Sequence, residues 1–117
     1  MEKKTFNHLD LDVYEEVLDN GLRVFICPID KHETHASMTA LYGSEVLEFK
    51  PNGKDEYIKL PEGTAHFLEH KMFEKEDGTD PMAIFEGNGA MCNAYTTSHI
   101  TRYYFTAPSK FFENLEN

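Results

Sequence analysis

The sequence predicts an α+β fold, a mostly antiparallel sheet with helices packed on one face. Two observations carry this prediction. Short β-branched and aromatic runs stand between turn residues, whereas the helical segments open at prolines, Pro61, Pro81 and Pro108. No internal repeat or low-complexity segment interrupts them, so one pair of layers accounts for the whole.

Residues 1–12 carry mixed charge and little periodicity, and read as an ordered lead-in or a frayed terminus. Asp19-Asn20-Gly21 is a turn that feeds a first strand, Leu22-Arg23-Val24-Phe25-Ile26, closed by Pro28. After the polar stretch Asp30 to Thr34, Ala36 to Tyr42 forms a second strand. Gly43 permits a bend, and Val46 to Phe49 continues the strand. Lys50 to Lys59, with Pro51-Asn52-Gly53, is a surface loop or the turn of a hairpin.

Pro61 opens a helix reaching about Lys75, with Ala65, Leu68 and Met72 as its apolar line, and Asp77-Gly78 ends it. Asp80-Pro81 starts a short second helix that stops at Gly87-Asn88-Gly89. Met72, Phe73, Met82 and Phe85 are assigned to the core. Two strands follow, Ala90 to Thr97 and Thr101 to Thr106. A last helix begins at Pro108-Ser109 and runs out near Asn117 without a capping glycine, as a helix cut partway through does.

At 117 residues the chain has room for one domain, and 40% hydrophobic and 13% aromatic content lets it pack a core. Eleven basic against 21 acidic residues give a formal net charge of −10. That balance repels phosphate backbones and anionic lipids, so neither nucleic acid nor a membrane is an expected partner. The first residues hold no apolar run long enough for a secretory segment or a membrane span. Cys27 and Cys92 lie in apolar stretches without a neighbouring cysteine and read as buried free thiols. Together these features point to a non-exported, cytoplasmic protein.

His66, Glu69 and His70 fall within one helical turn at i, i+3 and i+4, so the three side chains project from one face. Two imidazoles four residues apart can hold one metal ion, and a glutamate beside them can take a proton from a water on that ion. The order is H-x-x-E-H, the reverse of the commoner zinc-peptidase motif. By itself the spacing leaves open a second reading, the polar face of an amphipathic helix. His8, His32, His35 and His99 sit in charged or turn-rich contexts and read as surface residues, and Glu74-Lys75-Glu76-Asp77 as a solvated helix end.

The run Gly63-Thr64-Ala65-His66-Phe67-Leu68-Glu69-His70-Lys71-Met72-Phe73 closely resembles the signature helix of the pitrilysin/insulinase family of zinc metallopeptidases. Gly89 to Thr97 and Thr101-Arg102-Tyr103-Tyr104-Phe105 resemble that family's next two strands in the same order, and Asn20 to Val24 its first. The resemblance spans roughly residues 18 to 115, and the stretch Glu48 to Leu60 is closest to bacterial, soluble members.

It implies that residues 1–117 form a single partial domain, the amino-terminal part of a metallopeptidase domain. It implies zinc as cofactor, His66 and His70 as ligands, and Glu69 as general base in the hydrolysis of peptides or unfolded segments. Asn93, Ala94 and Tyr95 would lie on the edge strand that receives the peptide.

The family's third zinc ligand is a glutamate on a later helix, expected beyond residue 117. Glu74, Glu76, Glu113 and Glu116 do not fit that place. The expectation is therefore a parent endopeptidase and an isolated piece that is inactive, with homo-oligomers forming to cover its unpaired edge. A non-catalytic assembly subunit of the same family is the alternative. A metal-dependent lyase of the S-ribosylhomocysteinase type, completed by Cys27 or Cys92, is a third.

Overall fold

The computed structural model describes residues 1–30, 32–51 and 53–116, so Asn52 in the expected hairpin turn and Asn117 at the end of the last helix lie outside the described residues. The chain divides into two compact units, Met1–His32 and Glu33–Asn117.

The first unit is an antiparallel meander of β1 (Glu2–Phe6), β2 (Leu11–Val17) and β3 (Arg23–Ile26), in that order. Residues 1–12 are thus not a lead-in but most of a hairpin. Its pairing rests on cross-strand polar contacts: Lys3 Nζ with Asp12 at 2.9 Å, Lys4 Nζ with Glu15 at 2.9 Å, and Thr5 Oγ1 donating to Asp12 at 2.8 Å. Glu15, on the central strand, also receives Arg23, and these two partners hold its carboxyl below the usual carboxylate range. At the second turn Gly21 takes φ 84°, and Asn20 Oδ1 accepts from Leu22 N at 3.0 Å. None of this unit's described residues is fully buried. Cys27, just past β3, is exposed, contrary to the expected buried thiol, as are Phe25 and Ile26 before it, so no packed layer covers this end of the meander among its described residues.

The second unit carries the rest: β4 (Thr34–Ala40), β5 (Glu48–Phe49), β6 (Ile58–Lys59), α1 (Thr64–Lys71), α2 (Pro81–Gly87), β7 (Met91–Thr96), β8 (Thr101–Ala107) and α3 (Phe111–Leu115). β8 is central in an antiparallel sheet of order β4-β8-β7, with Ala36 opposite Phe105 on one side and Cys92 opposite it on the other. β5 and β6 form a separate small hairpin. The expected continuation of the second strand is therefore part of another sheet.

Alternation along β8 puts Thr101, Tyr103, Phe105 and Ala107 on one face and Arg102, Tyr104 and Thr106 on the other. The helices all meet the first face. Phe85 of α2 and Phe111 of α3 pack on Phe105 at centroid distances of 5.4 and 5.5 Å, and Ala90, Ala107, Ala36 and Cys92 complete the core. Burial pushes the Cys92 thiol up. Phe73, just beyond α1, stacks its ring 6.2 Å from Tyr103.

The α1 helix is shorter than its sequence suggests at both ends: Gly63, left-handed at φ 79°, caps its start, and it stops at Lys71, short of the expected Lys75. Its buried line also differs from the expected one. Ala65 and Glu69 face the sheet, whereas Leu68 and Met72 are 49% and 62% exposed. Met82 is likewise exposed, so of the four assigned core residues Phe85 is buried and Phe73 half-buried. α2 starts as expected, with Asp80 Oδ1 accepting from Met82 N at 2.9 Å ahead of Pro81. α3 follows Lys110, itself at φ 54°, and buries Asn114, whose Oδ1 accepts from Asn88 Nδ2 at 3.1 Å.

Candidate metal and catalytic site

Helix α1 presents His66 and His70 on its exposed side, with the two Nε2 atoms 3.1 Å apart and the rings 4.8 Å between centroids. Both atoms carry lone pairs when the imidazoles are neutral and protonated on Nδ1, so the gap between them suits one cation. Imidazole nitrogens are donors that zinc accepts, and these two face each other across one helical turn. The donor set therefore fits zinc with two protein ligands. Among the described residues no third His, Cys, Asp or Glu joins them.

Glu69, one position before His70, is turned the other way into the sheet and is 8% exposed. A buried polar group needs a hydrogen-bond partner to replace its water. Here Thr96 Oγ1 donates to Glu69 Oε2 at 2.6 Å. Thr96 Oγ1 also lies 3.4 Å from Thr101 Oγ1, which donates to the Tyr42 carbonyl at 2.8 Å. Tyr103 completes the surroundings: burial pushes its phenol up, and the Glu69 charge adds to the shift. Two ligand-type imidazoles thus stand outside the sheet and a fixed carboxylate inside it, so the three side chains do not share one face as their spacing predicts: the hydrogen bond to Thr96 draws Glu69 inward.

β7, where Asn93, Ala94 and Tyr95 lie, is an edge strand. Thr97 N donates to Ile100 O at 2.8 Å at the β7–β8 turn, which sets the parity of the ladder. Met91, Asn93 and Tyr95 direct their main-chain groups toward β8, while Cys92, Ala94 and Thr96 direct theirs to the open edge. Asn93 bends its side chain so that Oδ1 accepts from Ala94 N at 2.8 Å. Of the three residues expected to meet a peptide, Ala94 alone offers main-chain groups there.

The far end of β7 is anchored by a segment that sequence reasoning treated as a simple bend. Gly43 is buried, and a Cβ there would lie 2.4 Å from His99 N and Thr97 O. Ser44 N and Glu45 N donate to the Thr97 and Ser98 carbonyls at 2.8 and 3.0 Å. Gly43 is thus required by close approach of backbone to backbone.

The other candidates separate from this site. His8, His32, His35 and His99 are exposed; His35 belongs to β4, not a turn, with Nδ1 2.8 Å from Thr106 Oγ1. Glu74 pairs with Lys71, and Glu76, Glu113 and Glu116 are exposed. Cys92 is packed in the core, which removes the thiolate that the lyase reading would need from that residue. Thr96 and Thr101 were missed as site residues. Their signal was faint: two hydroxyls at the facing ends of paired strands, opposite a glutamate in a helix.

The model of the family described as Insulinase (Peptidase family M16) matches residues 59–115. YmfH, an uncharacterized zinc protease of Bacillus subtilis (strain 168), is 42% identical over 95% of this chain and 26% of its own length. AlbF, a provisionally named zinc protease of the same strain, is 34% identical over 92% of this chain and 25% of its own. The crystal structure of a provisionally named M16-like peptidase from Alicyclobacillus acidocaldarius superposes with a TM-score of 0.80 at 37% identity, over 90% of this chain and 24% of that one. The chain spans about a quarter of the length of the curated relatives it matches.

Proposed function

The chain belongs to the insulinase family, peptidase family M16, and from that premise we propose that it holds the base and two zinc ligands of an endopeptidase acting on peptides or unfolded segments. One observation carries the proposal: facing imidazole nitrogens 3.1 Å apart, with a buried, hydrogen-bonded carboxylate in the same helical turn. His66 and His70 would hold the ion. Zinc bound there supplies a Lewis acid that polarises a carbonyl oxygen and acidifies a water.

The remaining steps belong to the chain's own groups. A peptide added antiparallel or parallel to β7 exchanges main-chain hydrogen bonds with Ala94, on the strand whose Thr96 holds Glu69. Glu69 Oε2 is held by Thr96, so Oε1 is the oxygen that takes a proton from the attacking water and later returns it to the leaving amine. Asn93 releases Ala94 N as the peptide arrives, and Tyr95 offers an exposed ring beside the bound strand. The cytoplasm, a peptide substrate and a third ligand outside residues 1–117 complete the proposal.

The decisive substitution is Glu69→Gln in the complete, zinc-loaded parent protein, which carries the third ligand. It keeps the shape and the bond to Thr96 but removes the base, so hydrolysis of a quenched peptide should fall by about a thousandfold while zinc content is unchanged. Turnover at the unsubstituted rate overturns the assignment.

A further inference from the structure

We propose that Thr96 is a positioning residue, which sets the Glu69 carboxylate against the strand that receives the peptide; this rests on the peptidase reading above. Thr96 has two attachments of different kind. Its hydroxyl donates to Glu69 Oε2 at 2.6 Å, and its main-chain N–H and C=O, by the parity fixed at Thr97 and Ile100, face the open edge of β7. One residue therefore ties the base to the rail along which a substrate would lie.

The tie is itself held. Thr101, directly across the ladder from Thr96, is 4% exposed, sits 3.4 Å from the Thr96 hydroxyl, and has given its own proton to the Tyr42 carbonyl. Thr101 thus has only lone pairs to offer Thr96, so both Thr101 and Glu69 are acceptors for the Thr96 hydroxyl. The shorter contact to the charged carboxylate takes the proton. The close-packed turn behind them, where the Gly43 backbone lies against Thr97 to His99, keeps the end of β7 from shifting. With Oε2 fixed, the free oxygen of Glu69 has one orientation relative to the edge. Displacement of a reacting group by about an ångström can cost a hundredfold in rate.

Kinetics on the complete, zinc-loaded parent protein test this. Thr96→Val keeps the shape and removes the donor, and should lower kcat by about tenfold to a hundredfold with KM changed less than about threefold and zinc content unaltered. Thr96→Ser, which restores the hydroxyl, should return kcat to within about threefold of the unsubstituted protein. A valine variant with unchanged kcat, or a serine variant as slow as valine, overturns the proposal. Should valine impair folding, Thr96→Ala, which also lacks the donor, takes its place in the comparison with serine.

A readout independent of turnover is the Thr96 hydroxyl proton in the NMR spectrum of zinc-free protein, protected from exchange and lost in Glu69→Ala; its absence in the unsubstituted protein also overturns the proposal. A complete parent protein that shows the protected hydroxyl and cleaves no peptide fails the peptidase reading, and reduces Thr96 to a structural tie.

Discussion

Glu69 occupies a position where a leucine would satisfy the helix more cheaply. Burying a carboxylate costs several kcal/mol unless hydrogen bonds replace its water, and α1 leaves Leu68 exposed while it buries Glu69. The sheet accommodates the carboxylate with the Thr96 hydroxyl where an apolar side chain would otherwise serve. The histidines follow the opposite logic: exposed, close together, and with nitrogens that repel unless a proton or a cation lies between them. His66→Ala should therefore weaken zinc binding by at least about a hundredfold, read by competition against a chromophoric chelator, with little effect on folding. Equal affinity in both proteins would remove His66 from the ligand set.

The elements most legible in the sequence were those with local punctuation. Pro81 and Asp80 marked α2, and the β-rich runs around Ala94 and Tyr103 marked β7 and β8. What was not legible depended on partners distant in the chain. The β1–β2 hairpin is held by Lys3, Lys4 and Thr5 meeting Asp12 and Glu15 across the ladder, and no apolar period announces it. The buried line of α1 could not be read from hydrophobicity because its second member is a glutamate. In the site, His66, Glu69 and His70 were visible through their spacing, whereas Thr96 was not, since its importance comes from what lies opposite. Gly43 is similar: only the folded chain shows that the turn at residues 97–100 presses against it. Gly43→Ala should destabilise the protein by about 1–3 kcal/mol, seen as a lower midpoint in denaturant. An unchanged midpoint would show that the turn can give way.

At the scale of the whole molecule, the second unit leaves large apolar side chains exposed, among them Leu41, Phe67, Met91 and Phe112. Scattered singly such residues are ordinary, but together with an open strand edge they favour burial against another chain. The 117-residue chain should sediment as a dimer or larger species at micromolar concentration; a monomer alone would contradict this. The same edge sets the terms on which any strand can join it. Because the Asn93 carboxamide already occupies the Ala94 N–H, a newcomer wins nothing at that position: it trades one hydrogen bond for another. Pairing there is an exchange, so what decides whether a segment stays is how far it extends beyond Ala94 and what its side chains find. A built-in toll of this kind disfavours short or casual visitors, while leaving the strand open to a chain long enough to outbid it.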